Sequence, residues 1–140
     1  LPNHAAFDAD LIRQAKIAHH SLAPLAIAMI RVEALGRIHR ELGEDAADEV
    51  MMESSKALRE AFSEADLVAR WNANTFAAVM PHLELDAARV IVDAACRDAA
   101  ARVSKLYGPP ALAAGVTGVS PNETAEAAML RLSTTTDRTY

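Results

Sequence analysis

The side chains in this sequence whose types and spacing could do chemistry fall into a few groups, most with a plainer reading beside the reactive one. Asp45, Asp48 and Glu49 lie close enough in sequence to mimic a metal-binding carboxylate cluster. Negative charge in the first turn of a helix already suits the helix dipole, and that explanation is preferred. Arg31, Arg37 and Arg40 form a basic cluster. They either contact phosphate directly, fixed positive charge standing in for a metal, or pair with Glu33, Glu41, Glu44 or Asp66 on a solvated surface, and pairing is the preferred reading. His19 and His20 are consecutive, so on a helix they point about 100° apart and make a poor metal pair. They read as surface residues near a helix end. Cys96 lies in an Ala-rich stretch and reads as small packing rather than a reactive thiol. Trp71, the only tryptophan, is either an interface anchor or a lid over the first helix. Met29, Met51, Met52, Met80 and Met129 read as core filler, with no stripe suited to a cofactor.

The stretch around which these groups are arranged is Asp66 to His82. Two short apolar runs, Leu67–Ala69 and Phe76–Met80, flank the polar knot Asn72-Ala73-Asn74, which is the pattern of a β-hairpin. Asn tolerates the positive φ that tight hairpin turns use, and a tip held on a sheet is a good place for a functional group. Ahead of it, His4–His20 reads as a helix with Phe7, Leu11, Ala15 and Ala18 on one stripe. Leu25–Val32, nearly continuous in apolar and β-branched residues, reads as a strand buried on both faces and as the central strand. Ala34–Leu42 is predicted as a short helix closed by Gly43, and Asp45–Phe62 as a second one with Val50, Ser54, Leu58 and Phe62 in line. After the hairpin come a long helix over Glu84–Leu106, a break at Gly108-Pro109-Pro110, a strand over Ala111–Val119 and a last helix through Leu132. The polar tail Ser133–Tyr140 is expected to fray. The order implies an α+β sandwich with one mainly antiparallel sheet covered by helices.

A chain of 140 residues suits one compact domain spanning residues 1–140. Few aromatics and much Ala predict a core of helix packing and short aliphatic side chains. The net charge of −5 argues against a general nucleic-acid or anionic-membrane surface, since both need a basic face. The longest apolar stretch, Leu22–Ile30, is too short to span a bilayer, and no signal peptide is visible. A lone cysteine makes no internal disulfide, which fits a cytoplasmic setting. The chain begins at Leu1, and is expected to be a fragment of a longer protein.

Taken in order, several segments resemble one family. Leu1-Pro2-Asn3-His4-Ala5-Ala6-Phe7 resembles the Leu-Pro-Asn-Arg-Arg-x-Phe opening of GGDEF domains, the diguanylate cyclase family. Asp66-Leu67-Val68-Ala69-Arg70, followed by a tip and Phe76, resembles the Asp-x-x-x-Arg strand that leads into Gly-Gly-Asp-Glu-Phe. Gly43 to Val50 resembles the Gly-His-x-x-Gly-Asp-x-x-Leu segment, keeping Asp48 but not the His. Ala114-Gly115-Val116 is similar to the Ser-Ile-Gly-Val strand, and Glu123-Thr124-Ala125-Glu126 to the start of the last helix. The resemblance implies a nucleotidyl-cyclase-like fold with a ferredoxin-like core.

The departures from that family point to a degenerate, catalytically silent member. Asn72-Ala73-Asn74-Thr75 occupies the Gly-Gly-Asp-Glu positions, so both acids are gone and Cβ atoms crowd a place where bare backbone meets phosphate. Arg31 stands where the family has a metal-binding Asp, and a cation there would repel Mg²⁺. His39 replaces the Asn that meets guanine, leaving Asp48 as the matching guanine contact. Ser63 replaces the Arg of the Arg-x-x-Asp product site, although Asp66 is present. Without that guanidinium the grip on cyclic di-GMP is lost. Ser133-Thr134-Thr135-Thr136 ends the last helix where active members continue with an Asp and later basic residues. By resemblance, the expected role is regulation in bacterial cyclic di-GMP-related signalling, through flanking domains, a partner protein or a homodimer, with no Mg²⁺. The alternative is a GTP-binding, or less favoured cyclic di-GMP-binding, sensor using Asp48, His39, Arg31 and Arg40. An active cyclase is the least favoured reading.

Overall fold

The computed structural model describes residues 2–63, 66–108, 111–134 and 138–140. Within them the chain runs α1 His4–Ser21, β1 Leu25–Val32, α2 Leu35–Leu42, α3 Glu44–Ala61, β2 Leu67–Asn72, β3 Thr75–Pro81, α4 Leu85–Tyr107, β4 Leu112–Gly118, α5 Ala125–Ser133 and β5 Arg138–Thr139. Local chemistry sets several boundaries. The Asn3 side chain accepts the Ala6 amide at 3.0 Å and starts α1, and Thr124 does the same for Ala127 at 3.1 Å to start α5. Gly43 ends α2 and begins α3 at φ +94°, a backbone angle that a side chain would strain.

The strands form one antiparallel sheet in the order β2-β3-β1-β4-β5, with β1 in the middle. Alternation along β1 divides its side chains between two cores. Ala26, Ala28, Ile30 and Val32 face the layer built from α2, α3 and α4. Leu25 and Ile27 face α1 and α5, where Phe7, Leu11, Ala128 and Leu132 complete the second core. Small side chains let α3 and α4 approach closely, with Ala57, Ala95, Cys96 and Ala99 all fully buried between the helices and the sheet.

Three expectations change. The tail does not simply fray: Arg138–Thr139 pairs with β4, and Tyr140 exchanges both backbone hydrogen bonds with Leu112, at 2.6 and 2.9 Å. The Tyr140 hydroxyl then donates to Asp93 of α4 at 2.7 Å. An open strand edge with unpaired amides and carbonyls outweighs the poor intrinsic propensity of the tail. Met52 is exposed on α3 rather than in the core, because its neighbour Met51 takes the buried face. The acidic helix start is Glu44 and Asp45, while Asp48 and Glu49 lie beyond the first turn. Leu1, the Pro109-Pro110 break and Thr135-Thr136 lie outside the described residues.

The turn between β4 and α5 is held by one arginine. Arg131 donates to Thr117 Oγ1 at 3.0 Å, to the Gly118 carbonyl at 2.8 Å and to both carboxylate oxygens of Glu123. This pairing draws the Glu123 carboxyl below its ordinary range. A depressed folded value means the contribution is present above the unfolded value near 4.5 and is lost as pH falls through the folded one. Glu123→Gln should therefore flatten the acid limb of the stability curve, measured by urea midpoints from pH 3 to 7. In the core, Ile27→Ala should cost about 2–5 kcal/mol in urea unfolding without changing the slope.

Candidate functional site

The hairpin tip meets the end of β1, since the pairing of β1 with β3 sets Arg31 opposite Thr75. The Val32 amide reaches across to the Asn74 carbonyl at 2.8 Å. On the other side, the Arg70 guanidinium donates to the Asn72 carbonyl at 2.9 Å and the Ala73 carbonyl at 2.8 Å, while lying over the Phe76 ring at 5.9 Å. Asn72 Oδ1 accepts the Asn74 amide at 3.1 Å, and Thr75 Oγ1 donates to Asn74 Oδ1 at 3.0 Å.

This differs from the positive-φ turn expected from the Asn residues. Among the described residues only Leu22, His82 and Ala111 combine a side chain with positive φ, so Asn72, Ala73 and Asn74 do not use it. A register shift between Arg70 and Asn72 bends the strand, and the asparagines act as hydrogen-bonding groups instead.

Two clefts flank the tip. One, about 590 Å³, lies between α2, α3 and the hairpin, with Gly36, His39, Asp48, Arg70, Asn72 and Asn74 in its wall. The other, about 220 Å³, lies over the end of the sheet and is walled by Arg31, Trp71, Asn72, Asn74, Thr75 and Ser133. The sequence-predicted nucleotide residues are thus divided. His39 and Asp48 come together, Arg31 sits across the tip from them, and Arg40 lines neither cleft.

Arg31 donates to Glu33 at 2.8 Å and Arg37 to Glu41 at 3.1 Å, the pairing weighed against phosphate contact. Glu33 holds the Arg31 proton more firmly still, raising its pKa. The Ser63 amide donates to the Asp66 carboxylate at 3.2 Å, and burial pushes the Asp66 carboxyl above its usual range. Phe76 is buried beneath the tip. Glu49 accepts the Tyr107 hydroxyl, which raises the tyrosine pKa. His19 bonds the Pro121 carbonyl through Nδ1, and its ring lies 5.8 Å from that of His20. Cys96 is fully buried, and burial pushes its thiol up to about 12, leaving almost no thiolate. Among the described residues no three His, Cys, Asp or Glu side chains converge as a metal site. No helix among them is long and apolar enough to cross a membrane.

Sequence reasoning did not assign a role to Arg70 or to His4. Trp71 is half-buried against α1: the His4 ring stacks on it at 3.4 Å and Phe7 meets it edge-on at 5.3 Å. The alternating directions of Arg70 and Trp71 in a strand were the available signal, one pointing to each side of the sheet.

The family model "Diguanylate cyclase, GGDEF domain" matches residues 1–133, and the chain belongs to this family. It is 28% identical over 134 residues to diguanylate cyclase DgcP of Pseudomonas aeruginosa, covering 94% of this chain and 20% of that protein. Only a fifth of that relative's length is therefore spanned. The GGDEF domain of YfiN (TpbB) from Pseudomonas aeruginosa superposes with a TM-score of 0.83 at 28% identity, covering 94% of this chain and 84% of that one. Diguanylate cyclase SiaD from the same organism, in complex with its activator SiaC, gives a TM-score of 0.79 at 24% identity over 95% of this chain and 55% of that one. The domain is thus a member of a cyclic di-GMP signalling family.

Proposed function

We propose that this domain is a catalytically silent GGDEF domain that acts in the cytoplasm by contact with neighbouring domains or partner proteins. The observation that carries the reading is the make-up of the cleft at the end of the sheet. Forming a phosphodiester from nucleoside triphosphates needs metal ions to neutralise developing charge and activate a hydroxyl. Mg²⁺ is held by carboxylates, phosphates and water. The matching positions carry the guanidinium of Arg31, the amide of Asn74 and the hydroxyl of Thr75, and none of the described residues lining the cleft is a carboxylate. That donor set does not fit Mg²⁺. The tip carbonyls are also engaged by Arg70 and Val32. A role through contact agrees with the similar fold of diguanylate cyclase SiaD, seen in complex with its activator SiaC.

A second reading, a GTP-binding sensor, is favoured by the larger cleft, where His39 and Asp48 face the tip together. Asp48 would accept from the guanine edge there, while Arg31 lines the other cleft and does not join it in one clamp.

Two measurements on the purified chain test these readings. Incubation with GTP and Mg²⁺ should yield no cyclic di-GMP, and its formation would overturn the first reading. Calorimetric titration with GTP and with cyclic di-GMP, with and without Mg²⁺, should give no heat if the domain acts by contact alone. Micromolar GTP binding that is independent of Mg²⁺ and abolished by Asp48→Ala would establish the sensor instead.

A further inference from the structure

We propose that the first turn of the chain and the hairpin tip form one mechanical unit, so that the position of residues 2–7 sets the order of the tip and of both clefts that share it. Arg70 is the joint. Its backbone amide donates to the Pro2 carbonyl at 2.8 Å, and its side chain holds the Asn72 and Ala73 carbonyls. The next residue, Trp71, is gripped by the same turn, with the His4 ring stacked on it at an interplanar angle of 27° and Phe7 across its edge at 88°. Asp8, 3.3 Å from His4 one turn further along α1, braces the stacked ring.

Adjacent residues of a strand point to opposite faces, so Trp71 reaches α1 while Arg70 reaches the α3 side. A displacement of the first turn of α1 therefore moves the strand at 70–71, and the Arg70 guanidinium carries the tip carbonyls with it. Because Asn72 and Asn74 line both clefts, that movement changes both at once. The opposite anchor of the tip is the Val32 amide on the Asn74 carbonyl; its donor belongs to the central strand, so movement of the tip opens this bond. The tip is thus suspended between a fixed point in the sheet and a point tied to the start of the domain.

This inference deepens the proposed function by naming the route through which contact at one end of the domain reaches the tip. Its test reads backbone exchange rather than catalysis or ligand binding, so the two fail separately. Amide hydrogen exchange is followed by NMR in the intact 140-residue chain. His4 is exposed, so His4→Ala leaves the cores untouched. Losing an aromatic stack of this kind should speed exchange of the Val32 and Asn74 amides roughly three- to tenfold. The Ala88 amide, bonded to the carbonyl of Glu84 at the start of α4, should not change. Arg70→Met should accelerate the same two amides, and the double variant should exchange no faster than Arg70→Met alone, since both act through one joint. Unchanged Val32 and Asn74 exchange in His4→Ala would overturn the proposal. So would increments that simply add in the double variant, or acceleration that includes Ala88.

Discussion

The pairing of β1 with β3 is the constraint on which the remaining features depend. β1 is buried on both faces, with Ala26, Ala28, Ile30 and Val32 toward one core and Leu25 and Ile27 toward the other. Sliding it by one residue against β3 would exchange these two sets, placing side chains of the wrong size in each core. The register is therefore strongly specified, and it carries the ends of the strands with it. Arg31 must stand beside Thr75, and the Val32 amide must meet the Asn74 carbonyl.

On that scaffold the hairpin tip is well bonded and poor in reactive groups. Its carbonyls accept from Arg70 and Val32, and its asparagine side-chain oxygens accept from the Asn74 amide and the Thr75 hydroxyl. A fold shared with diguanylate cyclases does not by itself confer their chemistry, which depends on the side chains placed on it. Here the tip and the end of β1 hold an arginine, an amide and a hydroxyl. Positive charge at Arg31 is paired with Glu33. The same tip is joined through Arg70 and Trp71 to the start of α1.

Much of the fold was legible because hydrophobic periodicity and punctuation agree along the chain. The apolar run at Leu25–Val32 marked the central strand, Gly43 the junction of two helices, and the Asn-rich knot the hairpin. The candidate site was less legible. Arg31, His39 and Asp48 lie close together in sequence, but Arg31 lines one cleft beside the tip and His39 and Asp48 the other. The tail was misjudged because its fate rests on the free edge of β4, which is distant in sequence and supplies the partners for Tyr140 and β5.

The sequence by itself determined the element order and the two-faced burial of β1. These follow from side-chain type and local period, which need no knowledge of distant neighbours. Only the tertiary structure decided that Arg70 holds the tip, that His4 and Trp71 stack, and that Arg31 faces a different cleft from Asp48. Those outcomes depend on which strands are adjacent and on the face to which each side chain points, and both are set by packing between residues far apart in the chain.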